Sequence, residues 1–289
     1  MFTNLFGKYL VEKNIITDDD FFMIKMEQNK TSAKLGLIAV SEKLITEEDA
    51  DKINARQQVV DKKFGDIAIE MGLLTQYQVE RLLALQGNPY LKFCQYVTDK
   101  GILELNQTED ALADFQKDNG FTGRDMDDMK SGDIDRILPL FLPQLPEGPV
   151  VDHLSVIFRS LIRLVSSDLS FKRGYVTDSY QTGNYAMQHL FGEYEATTVF
   201  SGDDQGILAV GEGFAKEFFD VVGVDALDSV SEFINIADGL FATSMSKRDI
   251  ELSLEPPEYS TQGIEIKGST VCVIPIEVNQ QGLDLVVSL

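Results

Sequence analysis

Laid against itself at a shift of 29 residues, the first third of the chain repeats its apolar and polar positions three times. Gly7, Gly36 and Gly65 align, as do Leu10, Ala39 and Ala68, then Ile16, Ile45 and Leu74, then Thr17, Thr46 and Thr75, and finally Gln28, Gln57 and Gln86. Each copy reads as a short apolar helix, a turn at Asn14, Lys43 or Gly72, and a second helix opened by the threonine. Asp20, Asp49 and Gln78 stand three residues after those threonines, the spacing of an N-cap side chain and its reciprocal partner. The predicted unit is a helical hairpin. One hairpin cannot bury its own apolar face, so the stacking of neighbours supplies the core. A fourth, worn copy follows, with Cys94 at the glycine position and Gly101 and Leu103 in register before a one-residue insertion.

Between about 117 and 148 the pattern lapses into a polar stretch and then a proline-rich one, where Pro139, Pro143, Pro146 and Pro149 preclude a regular helix. The predicted organisation is a helical repeat domain over 1–120, a linker over 121–148 and a second domain over 149–289. Ile137, Leu138, Leu140, Phe141 and Leu142 predict that the linker docks on a domain.

Beyond the linker the period changes. Residues 151–165 have helical spacing, with Leu154, Ile157, Phe158, Leu161 and Leu164 on one face. The runs 194–200 and 206–211 read as extended, separated by the turn composition Ser-Gly-Asp-Asp-Gln. Two helices are predicted over 212–223 and 226–245. The runs 249–259, 263–268, 269–278 and 282–289 then read as mostly antiparallel strands. Helices and strands in blocks define an α+β domain. A shift of 76 residues within it sets Asp152, Ser155 and Ile157-Phe158 against Asp228, Ser231 and Phe233-Ile234, a short match that implies internal pseudo-twofold symmetry.

Composition narrows the function. At 289 residues and 44% hydrophobic content, two packed cores are within reach. A formal charge of -22 spread over the whole length, with no basic cluster, excludes nucleic acid and anionic membrane as partners. Cys94 and Cys272 lie far apart in apolar runs and read as reduced, buried thiols. No stretch approaches the roughly eighteen apolar residues of a bilayer span, and the N-terminus lacks a continuous apolar signal core, so the expected compartment is the cytoplasm. His153 and His189 stand apart from carboxylate and cysteine clusters, so no protein-bound transition metal is expected.

The candidate chemistry lies on the helix over 226–245. Asp228, Glu232 and Asn235, at i, i+4 and i+7, share one stripe of that helix, while Val230, Phe233, Ile234, Ile236 and Ala237 supply the buried side. By itself such a stripe is most often a solvated face, with Asp228 favoured near the helix N-terminus. Context changes its weight. An Asp or Ser, three residues, a Glu, two residues and an Asn form the signature of the CheC/CheX family. Here it stands as Asp228 to Asn235, followed by Ile236, Gly239 and a strand-rich tail containing Pro256-Pro257. Residues 149–289 resemble that family over about 140 residues.

The resemblance implies a CheC/CheX-like α+β domain with an antiparallel sheet. It implies a phosphatase acting on the aspartyl phosphate of a CheY-like response-regulator receiver in chemotaxis or two-component signalling. Glu232 and Asn235 would be the catalytic pair and Asp228 a supporting residue. No cofactor is expected on this chain, since Mg²⁺ belongs to the receiver substrate. Under the 76-residue shift the counterparts of the pair are Val156 and Arg159, neither able to do this chemistry, so one active face is expected, as in CheX. CheX relatives form homodimers, and the terminal strand over 282–289 is an expected exposed edge.

The repeats resemble the MshEN-type module of type II secretion and pilus ATPases, in which Arg-Leu-Gly is followed by a second glycine and a closing glutamine. Lys34-Leu35-Gly36 through Gln57 and Lys63-Phe64-Gly65 through Gln86 make two such units, separated by five residues. In that family paired units can bind cyclic di-GMP, which makes Lys34, Leu35, Gly36, Gln57, Lys63, Phe64, Gly65 and Gln86 candidate nucleotide-binding residues. Lysine replaces the family's arginine, supplying a point charge where a bidentate fork is the rule. The alternative is structural: glycine for close packing, threonine for capping and glutamine for fixing the hairpin. The runner-up function is a non-enzymatic signalling module with nucleotide or partner sensing by the repeats.

Overall fold

The computed structural model describes residues 1–30 and 32–289. The chain divides into two compact units, residues 2–132 and 133–289.

The first unit is all helix. Its hairpins pair α1 (Phe2–Glu12) with α2 (Asp18–Glu27), α3 (Leu35–Ser41) with α4 (Glu47–Gln57), α5 (Phe64–Glu70) with α6 (Gln76–Ala84), and α7 (Pro89–Asp99) with α8 (Leu105–Asn119). The same turn joins each pair. Asn14, Lys43, Gly72 and Gly101 all adopt positive φ (56°, 56°, 70° and 65°), and the next two amides return to a carbonyl of the preceding helix at Leu10, Ala39, Ala68 or Val97. Thr17, Thr46 and Thr75 each cap the second helix in a reciprocal capping box with Asp20, Asp49 and Gln78. Phe2, Phe6, Phe93 and Phe115 form an edge-packed aromatic centre.

The stretch read as a linker over 121–148 carries structure. Thr122 and Asp125 make another capping box that starts α9 (Gly123–Ser131), which closes the first unit. Asp133 caps α10 (Ile134–Ile137), and a single 3₁₀ turn over Leu138–Leu140 follows, as the prolines require. Ile137, Leu138 and Phe141 are buried in the second unit, where the Phe141 ring meets Phe171 edge-on at 5.1 Å. Leu140 and Leu142 are only half-buried.

The second unit is α+β, the class expected. It runs α11 (Val150–Ser160), β1 (Leu169–Phe171), β2 (Tyr175–Gln181), β3 (Asn184–Gly192), β4 (Ala196–Gly202), α12 (Asp204–Ala215), α13 (Val224–Ser246), β5 (Leu252–Leu254), β6 (Glu258–Ser260), β7 (Glu265–Val278) and β8 (Gln281–Ser288). Strand order is β1-β7-β8-β4-β3-β5, with β2 also on β7 and β6 also on β3, all antiparallel. Val156, Leu190, Phe241 and Met245 pack α11 and α13 on one face of the sheet. Tyr185, Val199, Val273 and Val286 cluster on the other, with Tyr180 and Ile264 against them.

Four expectations are corrected. The run 206–211 is part of α12 and is not a strand: Asp203 caps it through the Gly206 amide, and its glycines let it lie close to its neighbours. A Cβ on Gly206 would fall 2.3 Å from the Gly282 carbonyl, and one on Gly211 2.9 Å from that of Ala226. The helix predicted over 212–223 ends at Ala215, because Lys216 turns left-handed (φ 59°) and its ammonium bonds the carbonyls of Leu164, Val165 and Gly213. At the end of α11, residues 161–165 form a π turn, so Val165 is buried and Leu164 only half-buried. Finally, the terminal strand β8 is not an edge, since β7 and β4 bond it on both sides. Strands β2 and β3, alternating and polar, had no expectation attached to them.

Candidate functional site

Helix α13 holds one face to the core through Leu227, Val230, Phe233, Ile234, Ala237, Phe241 and Met245. Complete burial of Phe233 and Phe241 contributes about 1.5–3 kcal/mol each. The opposite face carries Asp228, Glu232 and Asn235, all exposed on one ridge. Ile236, expected inside, is 41% exposed and joins Leu240, 40% exposed, and Val224 beside that ridge. Among the described residues neither Asp228 nor Glu232 has a hydrogen-bonding or ionic partner.

Three polar clamps fix the rotation of α13 about its axis. Near its start, the Ser229 hydroxyl donates to the Gly211 carbonyl of α12 at 2.9 Å. Further along, the fully buried Asp238 meets His153 of α11 at 2.8 Å (Oδ1 to Nε2) and accepts from the Thr198 hydroxyl of β4 at 3.1 Å. Tyr194 lies 3.2 Å from His153 Nδ1, and the imidazole stacks on Phe241 at 4.4 Å. Burial pushes the Asp238 carboxyl above its ordinary range, against the opposing pull of His153 and Thr198.

The third clamp reaches the ridge itself. Gln188 of β3 is 1% exposed, and its Nε2 donates to Asn235 Oδ1 at 2.9 Å and to the Glu255 carbonyl at 2.8 Å. Glu255 precedes Pro256-Pro257, which falls between β5 and β6 where β3 has no strand partner on that side. Sequence reading missed Gln188, His153 and Asp238. Asp238 left a signal, a carboxylate on the apolar stripe of an amphipathic helix, whereas Gln188 left none.

The positions that the 76-residue shift sets against the pair do other work. Val156 is in the core with Leu190 and Phe241, and Arg159 pairs with Asp135 at 2.5 Å. Asp152, set against Asp228, pairs with Arg248.

In the first unit, a cavity of about 660 Å³ brings together Lys34, Leu35, Gly36, Gln57 and Phe64 of the candidate nucleotide set. Lys63, Gly65 and Gln86 do not line it. Glu47, Asp51 and Glu104 do, and the Lys34 ammonium is paired with Asp99 at 2.8 Å. The repeat glutamines fasten the fold: Gln57 Nε2 donates to the Lys62 carbonyl and Gln86 Nε2 to that of Ala33, while Gln28 accepts from Thr3. The repeat glycines sit under side chains, and a Cβ at Gly7, Gly36 or Gly65 would come within 2.4, 3.1 or 2.8 Å of Phe21, Phe64 or Val79.

Cys94 and Cys272 are buried and unbridged, their thiols pushed up by burial to about 12 and about 11. Among the described residues no helix is long and apolar enough to cross a membrane.

No family model matches the chain, and no curated protein matches it. Among solved structures, the chemotaxis protein CheX from Desulfovibrio desulfuricans is 16% identical, with 47% of this chain and 95% of that one covered and a TM-score of 0.41. A CheC-like superfamily protein from Shewanella sp. PV-4 is 12% identical, with 48% and 94% covered and a TM-score of 0.42. A chain of the CheX-CheY-BeF3-Mg complex from Borrelia burgdorferi is 16% identical, with 48% and 96% covered and a TM-score of 0.39. These neighbours lie along the C-terminal half of the chain.

Proposed function

We propose that the second unit is a phosphatase for the aspartyl phosphate of a CheY-like receiver domain, with Asn235 and Glu232 as its reactive pair. The observation that carries this reading is the ridge of α13: an amide and a carboxylate, one turn apart, project outward from the face opposite the one that packs on the core, and among the described residues the carboxylate has no partner. Their spacing fits the CheC/CheX signature found in the sequence. Val224, Ile236 and Leu240 supply exposed apolar surface on either side for seating another protein.

The chemistry asks little of this chain. Mg²⁺ and a lysine on the receiver already neutralise the acyl phosphate, so the missing part is an aligned water. Asn235 orients that water without bringing charge to an anionic centre. The water oxygen forms a bond to phosphorus as the bond from phosphorus to the aspartyl oxygen breaks. The receiver's aspartate leaves as carboxylate, and both water protons depart on the phosphate. Glu232 pairs with the receiver's lysine and sets the docking register, while Asp228 supports it by long-range attraction. Work on such a receiver is cytoplasmic, and a homodimer is compatible with the single active face.

The test is steady-state phosphate release from a receiver kept phosphorylated by a small-molecule donor. Asn235→Ala removes the acceleration, whereas Glu232→Gln raises KM and leaves kcat nearly intact. No acceleration by the unaltered chain over any receiver of its own cell would rule the reading out.

A second reading, nucleotide sensing by the repeats, is favoured by the 660 Å³ cavity beside Lys34 and Phe64. Its acidic rim and neutralised lysine oppose a dianion. Calorimetry with cyclic di-GMP decides: heat that Lys34→Ala abolishes supports this reading, and no heat at high micromolar ligand rejects it.

A further inference from the structure

Asn235 can work only if its amide faces the right way. Rotation by 180° about its last bond exchanges a hydrogen-bond acceptor for a donor at nearly the same place, and an exposed asparagine meets little resistance to that rotation. Here the choice is made from behind. The Glu255 carbonyl is an acceptor alone, so the Gln188 atom 2.8 Å from it is the amide nitrogen. That same nitrogen lies 2.9 Å from Asn235, and having a second hydrogen to give, it fixes the facing Asn235 atom as Oδ1. A backbone carbonyl next to a proline pair thus dictates, through one buried side chain, which end of the Asn235 amide looks outward.

We infer that Gln188 is a positioning residue for the reaction, holding Asn235 with Nδ2 outward and with one Oδ1 lone pair left to accept a hydrogen bond from the attacking water. This rests on the phosphatase reading of the ridge. A second observation points the same way. Gln188 Oε1 is buried and takes no hydrogen bond among the described residues. An unmet buried acceptor is unfavourable, and a methionine of similar volume would not carry it. The contribution of the glutamine lies at Nε2, in the two bonds it donates. Gln188 is 1% exposed, so it sets the rate of the chemical step without touching the receiver.

Two substitutions of nearly constant shape test this. Gln188→Met removes both donors, so the amide samples both orientations and kcat falls roughly twofold or more with KM unchanged. Gln188→Glu, once ionised, attracts Asn235 Nδ2 inward and holds the wrong orientation. Its kcat approaches that of Asn235→Ala at high pH and recovers in part as pH falls and the buried carboxyl takes up a proton. Neither the unaltered chain nor Asn235→Ala shares that pH dependence, which a merely structural residue would not create.

The side-chain amide resonances of Asn235, followed by ¹⁵N NMR in all three proteins, give a readout independent of turnover. The inference requires them to shift or broaden in both variants. It is overturned if they stay unchanged, or if Gln188→Met and Gln188→Glu turn over like the unaltered chain. If the unaltered chain accelerates no receiver while the resonances respond, the phosphatase reading fails and the positioning contact stands. Should Gln188→Met not fold, Gln188→Glu carries both readouts alone.

Discussion

Under the proposed phosphatase reading, Asn235 and Glu232, exposed on the same ridge, have separable tasks that kinetics distinguishes. A charge-assisted contact made on docking is worth about 1.5–3 kcal/mol, so Glu232→Gln raises KM by roughly tenfold or more. Added salt weakens the unaltered protein toward that variant, because an exposed pair is screened. A KM indifferent to both changes would remove the docking role. The repeat turns pose a different test at the same scale. Gly72 and Lys43 occupy one left-handed position in successive hairpins, with φ of 70° and 56°. Gly72→Ala costs about 1 kcal/mol. Lys43→Gly gains only part of that, since the freer unfolded chain offsets it. Opposite shifts in urea midpoint bear this out, and shifts of the same sign contradict it.

Among the elements, those with local punctuation were legible in the sequence. Threonine and a partner three residues on announced α2, α4 and α6, and the structure closes all three capping boxes. Thr46→Ala accordingly destabilises the chain by about 1 kcal/mol, measured by urea denaturation, and a neutral result would make that box incidental. Helix α13 was legible through its period. Helix α12 was not, because a short apolar run with glycines has no period of its own, and its conformation follows from contacts with Gly282 and Ala226 that sequence reading cannot see. The same limit hid part of the site. Gln188 and Asn235 are 47 positions apart and His153 and Asp238 are 85, so each pairing exists only once the sheet has placed β3 and β4 beneath the helices. The stripe of Asp228, Glu232 and Asn235 needed only one helix.

At the scale of the whole molecule, the buried Asp238 carboxyl tunes stability against pH. Burial raises the Asp238 carboxyl, so between about pH 4, where the unfolded carboxyl releases its proton, and the higher folded value, the native chain holds a proton the unfolded chain has lost. That stabilisation is complete below the unfolded value and is lost as pH rises through the folded one. Asp238→Asn, which has no charge to bury beside His153, Thr198 and Tyr194, removes this component. Urea midpoints of the variant and the unaltered chain, compared from about pH 4 upward, therefore diverge with rising pH in favour of the variant. Parallel curves would mean that Asp238 does not titrate in that window.

All of these expectations of activity depend on an outward-facing amide on α13 entering another protein's phosphorylated pocket. The most direct measurement is the first-order decay of a ³²P-labelled receiver at saturating chain, with Asn235 present and with Asn235→Ala in its place. Faster decay with Asn235, falling to the receiver's own rate in the variant, is the result expected. Equal decay with the two proteins, whether fast or slow, would contradict the assignment.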